Sequence, residues 1–159
     1  MLIPISKADK DKARSLLEKA ISFYHAAGKE ICLAEFMNPR GQFVRDHLYV
    51  FAVDLDGIML AHPINERFAG KNFLDVRDSD GRDFIREILE SAKRNGSGFI
   101  DYKWYHPLSK EERTKTVYYE KTDGMIICSG FYSPVWNCFA DSKKHYPENF
   151  FELLDYVGA

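Results

Sequence analysis

The chain has 159 residues, of which 45% are hydrophobic and 14% aromatic, with 22 Lys and Arg against 24 Asp and Glu. That length suits one domain able to bury its own core without a metal or disulfide. The near-neutral balance excludes a strong basic field for nucleic acid or anionic lipid, and the aromatic content excludes general disorder.

The first element is a helix. Ser6 is positioned as its N-cap with Asp9 three residues on, and Ala13, Leu16, Leu17, Ala20, Ile21, Tyr24 and Ala27 form one apolar stripe. Gly28 ends it. A second, short helical stretch spans Ile31 to Met37 and is broken by Asn38-Pro39-Arg40-Gly41. The run His47 to Leu55 is β-branched, aromatic and almost continuously apolar, which predicts a strand covered on both faces. Asp56-Gly57 is a hairpin turn, and Ile58 to His62 is the returning strand. Pro63, Asn65, Gly70 and Asn72 mark a long irregular connection. Asp78 to Asp80 are expected to open a helix running to about Arg94, with Phe84, Ile85, Ile88, Leu89 and Ala92 on one face, closed by Asn95-Gly96. Three strands follow, Gly98 to Tyr105, Thr114 to Glu120 and Met125 to Tyr132, the last two joined at Asp123-Gly124. The order of elements predicts an antiparallel α+β domain. Residues 1–133 read as this one domain. Residues 134–159 read as an aromatic tail, with Pro147 opening a helical stretch that carries Phe150, Phe151, Leu153 and Leu154, and are expected to pack back on the domain.

Cys32, Cys128 and Cys138 are too few and too scattered for a disulfide framework and read as buried or free thiols. His25, His47, His62, His106 and His145 have no metal-ligand spacing, so neither a metal nor a cofactor is expected. No phosphate-binding glycine loop and no nucleophile elbow occurs, Asp54 and Asp56 read as turn residues, and Cys128 reads as inert packing; an enzyme is not expected. The longest charge-free run, Met125 to Ala140, is interrupted by Ser129, Gly130, Ser133, Pro134 and Asn137 and falls short of the roughly 20 apolar residues of a membrane span. The N-terminus, MLIPISKADKDK, lacks the apolar core of a signal peptide, which fits a cytoplasmic chain or one whose leader has been removed.

Against that background, polar and aromatic groups gather on the predicted strands: Tyr49, His62, Tyr102, Trp104, Lys115, Tyr118, Tyr119 and Tyr132. Strands favour Tyr and Trp for packing alone. Yet aromatic walls with a few placed donors and one cation are also the makeup of a small-anion pocket.

The segments Leu33-Ala-Glu-Phe-Met-Asn-Pro-Arg-Gly-Gln-Phe43, Tyr49-Val-Phe-Ala-Val-Asp-Leu-Asp-Gly57, Leu60-Ala-His-Pro63 and Gly70-Lys-Asn-Phe-Leu74 follow one another in order. So do Asp80-Gly81, Gly96-Ser-Gly-Phe-Ile-Asp-Tyr-Lys-Trp104, His106-Pro107, Lys115-Thr-Val-Tyr118 and Ser129-Gly-Phe-Tyr132. In this order the chain, over about residues 7 to 133, resembles the single-Cache sensor domain family. The resemblance implies a PAS-like fold: a long N-terminal helix packed on a five-stranded antiparallel sheet that holds a ligand pocket. It also implies a bacterial extracytoplasmic sensor of small molecules, often organic acids, serving chemotaxis or histidine-kinase signal transduction. On this reading a small carboxylate is the partner, paired with Lys115, walled by Tyr102, Trp104, Tyr118 and Tyr132 with Tyr49 also in the site, and met by His62, whose charge near neutral pH is expected to tune affinity. Lys115 and Tyr118 are an odd number of residues apart, so a regular strand points them to opposite faces unless a bulge intervenes. The alternative reading is a stand-alone interaction or scaffold protein that dimerises or docks through the N-terminal helix or the tail.

Overall fold

The computed structural model describes residues 6–133. The expected tail helix, Cys138 and His145 lie outside the described residues.

Helix α1 spans Lys7–Ala27 and starts as its sequence demands: the Ser6 hydroxyl accepts from the Asp9 amide at 3.1 Å and donates to the Asp9 carboxylate at 2.8 Å. Its stripe buries Ala13, Leu16, Leu17 and Ala20. Gly28, at φ 87°, closes α1 with its N–H on the Tyr24 carbonyl, and its own carbonyl accepts from Cys32. One residue therefore ends α1 and starts α2, Lys29–Phe36, two residues before the position expected for it.

The strands are β1 Val44–Arg45, β2 Leu48–Asp54, β3 Met59–Ala61, β4 Ser97–Tyr105, β5 Glu112–Thr122 and β6 Met125–Tyr132. They form one sheet in the order β1-β2-β6-β5-β4, with β3 paired to β2, and every pairing is antiparallel. There are thus six strands, not five. The addition is β1, whose two residues are too short to carry any periodicity. At the Asp54–Ile58 hairpin the Asp54 carboxylate accepts the amides of Asp56 and Ile58, and Gly57 takes φ 86°. Asp54 is a turn residue, as read.

The last helix, α3, runs Phe84–Asn95 and not from the Asp78–Asp80 segment. The physical reason is Asp78. Its Oδ1 accepts the amides of Asp80 and Arg82, its carbonyl accepts that of Gly81, and its Oδ2 accepts the amide of Lys103 on β4. An aspartate that closes its own turn and docks on a strand has no oxygen directed at a helix N-terminus.

The sheet is the middle layer of three. On one face Val50, Ala52, Tyr118, Ile127 and Phe131 pack with α1 and α2 through Leu16, Leu17, Cys32 and Phe36. On the other, Tyr49, Phe51, Val117, Tyr119, Cys128 and Tyr132 pack beneath Phe68, Phe73, Phe84, Ile85 and Ile88, which come from the β3–α3 connection and from α3. Coverage of both faces accounts for the unbroken apolarity of β2.

Candidate functional site

Lys115 is fully buried in the sheet, on the face covered by the β3–α3 connection. Its Nζ donates to Tyr49 Oη at 2.8 Å and sits 4.2 Å from the Tyr49 ring centre, 4.8 Å from Phe51, 5.5 Å from Tyr132 and 5.9 Å from Tyr102. The aromatic faces offset part of its desolvation. Burial still lowers the ammonium from its ordinary value of 10.5 to about 7.

The hydrogen bonds beyond Lys115 have a fixed direction. Tyr132 Oη donates to the Tyr105 carbonyl at 2.8 Å, because a carbonyl only accepts. Tyr49 and Tyr132 share a 3.2 Å contact, so Tyr49 is the donor in it and must itself accept from Lys115. Burial, first among the causes, raises both phenols, which therefore keep their protons. The Tyr49 and Tyr132 protons are consumed within the chain and neither is left for a ligand.

His62 opens a turn in which its Nδ1 accepts the amides of Ile64 at 3.3 Å and Asn65 at 3.4 Å. The proton of the neutral ring is thereby assigned to Nε2. The ring packs 5.1 Å from Tyr49, 5.7 Å from Phe51 and 5.0 Å from Phe68. Burial and then the Lys115 charge lower His62 well below the usual imidazole range, so it is a neutral donor rather than a second cation. Tyr102 lies flat on Phe84, with ring centres 4.1 Å apart at 10°, and Trp104 closes the wall edge-on to both Phe68 and Phe84.

The arrangement leaves three groups with donor capacity that the described residues do not use: the remaining N–H bonds of Lys115, Nε2–H of His62 and O–H of Tyr102. Among the described residues no carboxylate pairs with Lys115. Asp78 is buried on the same side of the sheet, but its oxygens are engaged by three backbone amides. A buried cation with spare donors and no counter-ion is an anion-binding arrangement.

Six of the seven expected residues, Tyr49, His62, Tyr102, Trp104, Lys115 and Tyr132, lie on this one face. Tyr118 does not. β5 pairs in unbroken register with both neighbours, so no bulge turns it round, and it packs on the α1 side beside Phe99 and under Arg14. Phe51 and Phe68 belong to the site and were not singled out. Phe51 had a readable signal, because it is two residues from Tyr49 and shares its face. His106 repeats the His62 device at the far end of the face: its Nδ1 accepts the amides of Leu108 and Ser109, and its ring lies 5.1 Å from Tyr132. A separate open cleft of about 530 Å³, lined by Asp9, Asp11, Lys12, Arg45, Asp46 and His47, contains none of the expected site residues. Among the described residues no three His, Cys, Asp or Glu side chains gather as metal ligands, and no helix is long and apolar enough to cross a membrane.

Comparison with known proteins agrees with this frame. The family profile described as the Cache domain matches residues 38–137. The chain is 33% identical over 86 residues to the methyl-accepting chemotaxis protein McpP of Pseudomonas putida, covering 53% of this chain and 16% of that protein. It is 41% identical over 59 residues to the sensor histidine kinase MctS of Rhizobium johnstonii, covering 37% of this chain and 13% of that protein. Among solved structures, a Cache chemosensory domain described for its recognition of carboxylic acids shares 26% identity at a TM-score of 0.62, covering 77% of this chain and 86% of that one. A methyl-accepting chemotaxis protein from Vibrio parahaemolyticus shares the fold at 21% identity and a TM-score of 0.68, covering 79% and 88%. The chain belongs to the Cache domain family, the sensory ligand-binding modules of chemoreceptors and histidine kinases.

Proposed function

We propose that this domain senses a small monocarboxylate, bound with its carboxylate on Lys115 and its short tail against Phe51, Phe68 and Trp104. The observation that carries the reading is the buried Lys115 ammonium, which has no counter-ion among the described residues. A carboxylate supplies the missing charge and accepts from Lys115, His62 Nε2–H and Tyr102 O–H together. The charge count favours one carboxylate and no ammonium. A zwitterionic amino acid would bring a second positive charge to a face where Asp78, the buried carboxylate among the described residues, is already engaged by backbone amides. The solved Cache domain described for carboxylic acid recognition supports the same class. Ligand occupancy would then be read by an output of the kind that the matched relatives are named for, a chemotaxis receptor or a histidine kinase.

A thermal-shift screen of the ligand-free protein checks the class. Formate to butyrate, 2-hydroxy and 2-oxo monocarboxylates, dicarboxylates and amino acids would be compared at equal concentration. Stabilisation confined to monocarboxylates is the expected result, worth about 2.7 kcal/mol at a hundredfold excess over Kd. Stabilisation by amino acids alone, or by no acid, sinks the reading.

A further inference from the structure

Lys115 and Tyr49 are not on neighbouring strands. Lys115 is on β5, Tyr49 is on β2, and β6 runs between them. Adjacent strands lie about 4.8 Å apart, so the β5 and β2 backbones are some 9–10 Å apart, and the lysine and tyrosine side chains close that distance together above β6. Its side chain therefore lies flat over β6 instead of standing off the sheet. The residue it passes over is Gly130, which pairs with Tyr49 on one side and with Val117 on the other, while Lys115 itself pairs with Tyr132.

We propose that Gly130 is the positioning residue of the anion site, its missing side chain forming the trough through which Lys115 crosses β6 to reach Tyr49. A Cβ at position 130 would stand 2.6 Å from Lys115 Cε, 2.8 Å from Val117 Cγ2 and 3.2 Å from the Thr116 carbonyl oxygen. The backbone does not require glycine there, since Gly130 is not among the positive-φ residues. The requirement comes from space alone. Of the three neighbours, the Thr116 carbonyl belongs to the sheet and Val117 is stiff at χ1, whereas the end of a lysine moves. A side chain at 130 therefore displaces the ammonium from Tyr49. The spare donors of Lys115 then no longer meet those of His62 and Tyr102. Gly130 touches no ligand and acts only through Lys115. Its functional meaning rests on the monocarboxylate reading above.

Gly130→Ala in the full chain tests this, with acetate as the probe. Isothermal titration is expected to show a loss of roughly 30-fold or more in acetate affinity, the size of one lost charge-assisted contact, with the circular dichroism of the native fold retained. Tyr49→Phe, which is expected to weaken acetate in the parent protein, should add nothing in the Gly130→Ala background, because Lys115 no longer reaches Tyr49. A merely structural role for Gly130 would leave the Tyr49→Phe effect intact, and that result, or unchanged acetate affinity, overturns the proposal. If Gly130→Ala alone fails to fold, the pair Lys115→Ala and Gly130→Ala decides. Recovery of the fold shows that Lys115 is the obstacle and supports the proposal, while continued failure assigns the clash to Val117 and Thr116 and overturns it. If the parent protein binds neither acetate nor any other monocarboxylate, the functional reading fails. The trough is then judged by NMR observation of the Lys115 Cε signal, which must shift between the parent protein and the Gly130→Ala variant; no shift overturns it.

Discussion

The two faces of the sheet are cut from the same strands and differ in kind. The α1 face is an ordinary apolar core in which Leu16, Leu17, Phe36, Ala52 and Ile127 meet, with the buried Ser129 hydroxyl beside them and no charged group buried among the described residues there. The opposite face is richer in aromatics, and it also buries Lys115, His62 and a directed chain of phenols. Alternation along β2 and β5 separates the two at every second residue. One face is optimised for the folded state alone. The other keeps a cation desolvated, which costs stability in the ligand-free chain and, on the proposed function, is offset by the bound carboxylate.

That contrast breaks if the two faces respond alike to substitution. The largest effect is expected on the α1 face, where Leu17→Ala should lower unfolding free energy by about 2–5 kcal/mol and leave ligand affinity almost unchanged. Denaturant melts with and without ligand check both halves. Lys115→Met should do the reverse, reducing carboxylate affinity by about 3 kcal/mol, roughly 100-fold, while raising the stability of the ligand-free protein by about 1–4 kcal/mol. A Lys115→Met protein that is both ligand-blind and less stable would contradict the assignment of cost to this face.

The pH dependence sharpens the same point. Burial lowers Lys115 to about 7 in the folded chain, whereas the unfolded chain holds that proton up to the ordinary lysine value of 10.5. The unfolded state thus binds more protons above pH 7, so this group makes ligand-free stability rise with pH from about 7, until the unfolded thiols of Cys32 and Cys128, which burial keeps protonated in the fold, begin to ionise near pH 9. A bound carboxylate restores the proton. Affinity should accordingly be level just below pH 7 and fall up to tenfold per unit above it, with proton uptake visible when titrations are repeated in buffers of different ionisation enthalpy. The smallest effect is expected from Tyr118→Phe. It removes a hydroxyl on the α1 side, 3.5 Å from Glu120, and should shift carboxylate affinity by less than about 0.5 kcal/mol. Tyr49→Phe, by contrast, strips Lys115 of its acceptor and should be the costlier of the two tyrosine changes.

The elements were legible where side-chain pattern alone determines them. The Ser6 cap, the α1 stripe, the Asp56-Gly57 hairpin and the β4, β5 and β6 strands follow from spacing and turn chemistry. The start of α3 was not legible, because Asp78 commits its carboxylate to a turn and to Lys103, a partner 25 residues away in sequence. Most of the site was readable as residue types on strands, and the odd spacing of Lys115 and Tyr118 already pointed to opposite faces. Tyr118 was misplaced because a side chain's face depends on register, which motif order does not carry. Gly130 and the direction of the Lys115–Tyr49–Tyr132 chain were beyond reach, since both depend on β6 lying between β2 and β5.

The Asp78 carboxylate that displaced the start of α3 has a consequence for association. β4 is the last strand of the sheet, with an outer row of backbone groups open to pairing by another chain. Lys103 has its outward N–H occupied by Asp78, and the outward carbonyl of Asp101 accepts from Arg82. A strand added along this edge would have to displace Asp78 and Arg82 from these two backbone groups before it could pair past Asp101.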